Sequence, residues 1–299
     1  MRHHATLRYV DAIARHGSIR RAAEALAITA SALNRRLLAL EEEIGAPLFE
    51  RRARGVRLSA AGELFVHHAR RQMADMERVQ ASIEDMKGAR RGHVAVALDA
   101  SVDPEPLMGV IDRHRREHPG VTFAVLSCDR GTVAAMLEDY RADLALAIEP
   151  EHAGSFATLS TLPLRAEVLM SRSHPLAGAS GLRLHDLLAH PLVLPPPGRS
   201  LRFLADLGAA RAGLALDPVV VSDGVAARTL VRSGAALGMR VGSAGVERGD
   251  YDSQLAVPLD PRDMPPAMLH LGHLRDRSLP VPAARFAEVI RRRIDELSP

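Results

Sequence analysis

Thr29, Ser31, Asn34 and Arg35 stand at and just after a helix-start pattern, and Arg52 and Arg54 sit on either side of Ala53 further along. Hydroxyls, an amide and guanidinium groups in that pattern suit hydrogen bonds to phosphate oxygens and base edges. A guanidinium can grip guanine with two parallel bonds for ~1–3 kcal/mol, which makes Arg35 the best candidate for reading a base. Thr29, Ser31 and the free amides of the helix start suit phosphates. Asn34 can reach a phosphate or an adenine edge, and Ala30 can meet a thymine methyl. Ser18 and Arg20, one helix earlier, join the same DNA-facing set, and Arg52 and Arg54 would contact phosphate or enter the minor groove.

Charge distribution agrees with that reading. Residues 1–60 hold 11 Arg against 6 Asp and Glu, a balance of +5, whereas the chain of 299 residues carries only +3 overall. A basic head on a slightly acidic body fits a nucleic-acid reader with a separate second task. Other chemistries lack their motifs. There is no GxSxG, no phosphate loop of the Walker type and no GxGxxG, so the chain is not expected to be an enzyme and no cofactor is implied. The 14 His show no metal-ligand spacing, so no metal is expected. Cys128 is the sole cysteine, which excludes an internal disulfide framework. With no membrane-length apolar run and no secretory signal, the expected location is the cytoplasm.

These residues need elements to hold them. Leu7, Val10, Ile13 and Ala14 define one face of a first helix, which Gly17 stops. Ser18 caps a second helix over 19–26, and Thr29 caps a third over 30–43, ended by Gly45. Two short strands over 47–51 and 56–58 would make a basic-tipped wing. Ala22, Ala23, Leu26, Leu33, Leu37 and Leu40 are assigned to the core of this head. From Ser59 a long helix carries Phe65, Ala69, Met76, Val79, Ile83 and Met86 at heptad spacing, broken by Gln72. So narrow a seam asks for a partner helix and predicts a dimer; the alternative is packing on its own body. Beyond Gly92, strand-like and helix-like runs alternate, predicting two open α/β sheets with ligands at the carboxyl ends of strands.

With those elements placed, the head resembles the winged helix-turn-helix of the LysR-type transcriptional regulators. The residues that carry the resemblance are 17–26 (GSIRRAAEAL), 28–37 (ITASALNRRL), 40–51 (LEEEIGAPLFER) and 56–62 (VRLSAAG). Weaker similarity continues through 118–121 (HPGV), 143–147 (DLALA), 173–177 (SHPLA), 190–194 (HPLVL) and 231–234 (VRSG). The resemblance implies a multidomain α and α/β chain: a DNA-binding domain over 1–58, a linker and dimerisation helix over 59–89, and an effector domain over 92–299. That last domain would have two lobes like periplasmic binding proteins, lobe I from 92–161 and 267–299 and lobe II from 162–266.

The same resemblance implies a transcriptional regulator of double-stranded DNA, switched by a small-molecule effector, most simply a small carboxylate or other anion. It further implies a homodimer, a tetramer as the larger assembly, and RNA polymerase as a further partner. An architectural DNA binder whose effector domain no longer takes a ligand is the alternative. Matching positions put Ala100, Ser101, Val102, Cys128 and Asp129 on one side of the effector cleft. Pro197, Ser200, Leu201, Arg202, Ser222, Asp223 and Arg240 lie on the other, where Arg199 could add charge. Ser101 and Ser200 stand out, since a hydroxyl beside free helix amides can hold a carboxylate. Cys128 replaces a common glycine and reads as a small inert residue. The family commonly has Gln at position 30 and Ser at position 34, so Ala30 and Asn34 imply an operator different from those of relatives.

Overall fold

The computed structural model describes residues 2–52, 55–86, 92–151, 154–243 and 254–298. Arg54 lies outside them, as does the side chain of Met86. The chain forms two compact units, one of Met1–Ala89 with Glu138–Tyr140 and one of Arg90–Leu137 with Arg141–Pro299.

In the first unit, α1 (Arg2–His16) buries Leu7, Val10 and Ile13 on one face. Gly17 follows at φ +58°, a conformation that costs glycine little. The Ser18 side chain accepts from the Arg21 amide and opens α2 (Ile19–Ala25). Thr29 accepts from the Ala32 amide at 3.3 Å and opens α3 (Ala30–Ile44). Gly45 ends α3 in the left-handed region, its amide returning to the Glu41 carbonyl. Strands β1 (Phe49–Arg52) and β2 (Gly55–Leu58) pair antiparallel as the wing. The Glu41 carboxylate accepts from the Leu48 and Phe49 amides at 2.7 and 3.1 Å, tying the wing's root to α3.

The long helix α4 (Ala60–Met86) starts at Ser59, whose hydroxyl donates to the Pro47 carbonyl and accepts from the Gly62 amide. Its first half packs against the head. Val66 and Ala69 are buried, and Phe65 packs against the same core as α1. Buried Asp11 of α1 accepts from Arg70 of α4 at 2.8 Å. The expected seam therefore divides: Phe65 packs on the chain's own head and Ala69 is fully buried, while Met76, Val79 and Ile83 remain 45%, 50% and 45% exposed.

The second unit is built on a seven-stranded sheet. Strand β3 (Gly92–Asp99) runs parallel to β4 (Val121–Cys128) and β5 (Leu144–Ile148), the apolar run typical of a sheet covered on both faces. Helix α5 (Glu105–Glu117) and the short α6 (Val133–Glu138) connect them. Then β6 (Phe156–Ser171) carries the chain from one lobe to the other. Its first half pairs with β11 (Ala267–Leu274), and its second with β9 (Gly238–Ser243) and β10 (Gln254–Pro258). The expectation of two separate sheets is thus corrected: one continuous strand serves both lobes. Lobe II adds α7 (Leu184–Leu187), a parallel pair β7 (Val193–Leu194) and β8 (Val220–Val221), α8 (Ser200–Arg211) and α9 (Gly224–Arg232). The chain returns through β11 to α10 (Val281–Leu297), whose Phe286 meets His114 of α5 edge-on at 5.2 Å.

Two glycines give a paired expectation. A Cβ on Gly62 would stand 1.9 Å from the Leu48 carbonyl oxygen, whereas one on Gly109, inside α5, meets nothing within 4 Å. Gly62→Ala should lower stability by about 2 kcal/mol or more. Gly109→Ala should raise it by about 0.5–1 kcal/mol, since alanine is the better helix former. Urea unfolding of both variants beside the wild type checks the signs.

Candidate DNA interface and effector cleft

The head presents Thr29, Ala30, Ser31 and Arg35 as exposed residues along the first turns of α3, with Asn34 half-buried among them. Thr29 and Ser31 hydroxyls lie 3.3 Å apart at the open end of the helix, where the amides and the helix dipole favour an anion. Arg35 reaches solvent, and no ion pair engages it among the described residues. Its neighbour Arg36 instead lies over the Tyr9 ring at 4.8 Å and donates to the Tyr9 hydroxyl, bracing α3 against α1. Ser18 is spent on capping α2, and Arg20 pairs loosely with Glu24 at 3.8 Å. On the wing, Arg52 lies 3.6 Å from Glu50, both well exposed. Exposed pairs of that kind contribute little and leave the guanidinium free to exchange partners.

In the second unit the expected cleft residues converge on the first turn of α8. Asp99, at the end of β3, is only 1% exposed and accepts from the Ser101 amide at 2.9 Å and the Ile148 amide at 3.2 Å. The Ser200 hydroxyl, from lobe II, donates to the same carboxylate. Beside it the Leu201 amide donates to the Ser101 hydroxyl at 3.0 Å. Arg199 donates through Nε to Asp223 at 2.8 Å and through Nη1 to Asp129. Arg130 of lobe I lies 4.0 Å over the Phe203 ring of lobe II. The anion expected at the start of α8 is therefore partly supplied by the protein's own Asp99.

Sequence reasoning misses Asp99, whose partners at positions 148 and 200 are remote in the chain. It treats Arg199 only as added charge. Ser101, Asp129, Ser200, Leu201 and Asp223 do come together. Ala100 and Val102 form the turn after β3, the Ala100 amide bonding to the Cys128 carbonyl at 2.9 Å. Ser222 is half-buried, its amide bonded to the Leu194 carbonyl, and Pro197 is exposed on the loop before α8. Two expected contributors are engaged elsewhere. Arg202 turns along α8 to Asp206, and Arg240 pairs with Glu167, its direct cross-strand neighbour, at 3.0 Å. Both guanidinium groups thus pair with carboxylates of lobe II.

Cys128 is buried at the end of β4. Burial, then the charges of Asp99 and Asp129, push its thiol up to about 12. At neutral pH it is overwhelmingly protonated, and the thiolate is the reactive form. Iodoacetamide should therefore label Cys128 far more slowly in the native protein than in urea; equal rates would contradict this placement. Asp99→Ala should destabilise the second unit by about 2–4 kcal/mol, because three donors lose their acceptor. Denaturant unfolding against Asp206→Ala, an exposed pair worth far less, measures the difference.

The family model for the bacterial regulatory helix-turn-helix protein of the LysR family matches residues 4–63, and that for the LysR substrate binding domain matches residues 87–295. A RuBisCO operon transcriptional regulator from Allochromatium vinosum is 27% identical over 95% of this chain and 94% of its own. The transcriptional dual regulator GltC of Bacillus subtilis is 30% identical over 65% of this chain and 64% of its own. Among solved structures, a full-length OxyR from Pseudomonas aeruginosa superposes with a TM-score of 0.70 at 22% identity, covering 96% of this chain and 94% of that one. Full-length CbnR in complex with its target DNA gives 0.65 at 23% identity, over 97% and 99% of the two chains. With one family model matched over residues 4–63 and the other over 87–295, the chain belongs to the LysR family of transcriptional regulators.

Proposed function

We propose that this regulator reads its operator with paired heads and that a small molecule bound between lobes I and II alters how the heads are spaced on DNA. The observation that carries the DNA half is the side-chain-capped start of α3, with Thr29, Ala30, Ser31 and Arg35 all exposed. Entered into a major groove, Arg35 reads a base while Thr29, Ser31 and the helix amides hold phosphates; Asn34, Ser18 and Arg20 complete the face. Arg52 and Arg54 add contacts from the wing. Residues 1–58 are the DNA-binding domain, 59–89 the linker and 92–299 the effector domain.

Pairing runs through the free half of α4. Met76, Val79 and Ile83 follow at gaps of three and four and are half exposed, an apolar seam fit for a second copy. A dimer built this way, itself paired into a tetramer, presents several heads to one duplex. The protein works in the cytoplasm, catalyses no reaction, and can contact RNA polymerase once on DNA.

For the effector, Ser101, Asp129, Ser200, Leu201 and Asp223 are the residues proposed to meet it, with Arg199 supplying the positive charge that suits a small carboxylate. Ala100, Val102 and Ser222 shape the backbone around them. Binding shifts the balance between lobe arrangements.

Arg35→Ala should weaken specific binding more than non-specific binding, because it removes a base contact worth ~1–3 kcal/mol. Arg54→Ala should weaken both alike, since a phosphate contact carries no sequence information. A salt-titrated mobility assay on operator and random duplex distinguishes them, and equal losses for the two variants would overturn the split.

A further inference from the structure

We propose that Arg199 is a latch between the two lobes, closed on Asp129, and that a carboxylate effector acts by taking the guanidinium from Asp129. The proposal rests on the reading of this cleft as the effector site.

Arg199 is the residue immediately before α8, in extended backbone (φ −77°, ψ 141°), and its side chain reaches Asp223 of lobe II and Asp129 of lobe I. Asp223, on the same lobe, accepts from Nε and fixes the direction of the guanidinium. The remaining face of the fork is then presented to Asp129 on lobe I, which accepts from Nη1. The neighbouring arginines do otherwise. Arg202 pairs with Asp206 on its own helix, and Arg130 donates to the Glu149 carbonyl and to Glu151 within lobe I.

The latch is placed where lobe II docks. Ser200, Leu201 and Phe203, all in the first turn of α8, contact Asp99, Ser101 and Arg130 of lobe I. Its partners are open to competition: the side chain of Asp129 is 50% exposed and that of Asp223 41%, against 25% for Arg199. A bridge in that setting is weak enough to be exchanged for a ligand. A guanidinium N–H donates to any carboxylate as Nη1 does to Asp129, so an effector carboxylate substitutes for Asp129 without a change in local charge type. The Asp129 carboxylate then turns to solvent, and the lobes lose one tie.

The Leu201 amide reports the state of the latch, because its hydrogen bond to the Ser101 hydroxyl crosses between lobes. Hydrogen–deuterium exchange of the full-length protein, followed on the peptide that covers Leu201–Leu204, reads it without any knowledge of the natural effector. Asp129→Asn, which keeps the side chain's shape, should speed exchange there roughly threefold or more. Asp223→Asn should act in the same direction. Asp206→Asn, which breaks an ion pair wholly within α8, is the control and should leave the rate at that of the wild type. Sodium acetate in place of sodium chloride at equal ionic strength should speed exchange in the wild type but not in Asp129→Asn. Unchanged exchange in both Asp129→Asn and Asp223→Asn, or an equal rise in the Asp206→Asn control, would overturn the latch. An acetate response that is absent, or that persists in Asp129→Asn, would overturn competition by a carboxylate. Loss of DNA reading or of ligand binding would register in separate assays, so failure of the latch and failure of the functional reading are told apart.

Discussion

Close approach at two glycines sets the geometry on which the whole head depends. Gly55, in the wing, comes so near α1's end that a Cβ would stand 2.3 Å from the Gly17 carbonyl oxygen, and the Val56 amide bonds to that same oxygen. Gly62, in the first turn of α4, sits against the Leu48 carbonyl in the same way. Backbone against backbone leaves no room for a side chain and little for movement. The end of α1, the wing and the start of α4 are thereby fixed to one another.

The second unit solves a different problem, tying together two lobes that share the strand β6. Asp99 is the pivot of the solution. A buried carboxylate is costly unless donors surround it, and here they come from its own turn, from β5 and from lobe II. The lobes are tied where the charge is satisfied. Lobe II closes its own electrostatics separately: Arg183 grips Asp263 with two bonds of 2.7 and 2.6 Å, and Arg240 meets Glu167 across strands. Those pairs are internal to lobe II.

What can be read from sequence follows the range of the interactions. Helix starts at Ser18 and Thr29 are legible because the cap and its amide are three residues apart. Gly45 is legible because glycine tolerates the left-handed region its φ of +78° requires. Strand β6 shows in the sequence only at Val168–Met170, because Pro163 and the half-exposed 157–161 stretch hide its earlier half. Its identity as a shared strand depends on β11, some hundred residues on. Strands β9 and β10 escape the pattern for the same reason. The heptad spacing of α4 puts Phe65 and Met76 on one stripe, but periodicity says which residues share a face, not what covers it. Asp99 and the bridging role of Arg199 are products of folding, since their partners meet only once both lobes exist.

Under the proposed function, two copies of this head read one duplex by sequence. Selection from a randomised duplex library with the purified full-length protein is the decisive measurement. Enrichment of a motif with two related half-sites, spaced by a helical turn or a multiple of it, is the expected outcome. A recovered pool with no motif above the starting library, at salt low enough for the protein to bind DNA, would contradict paired, sequence-specific reading.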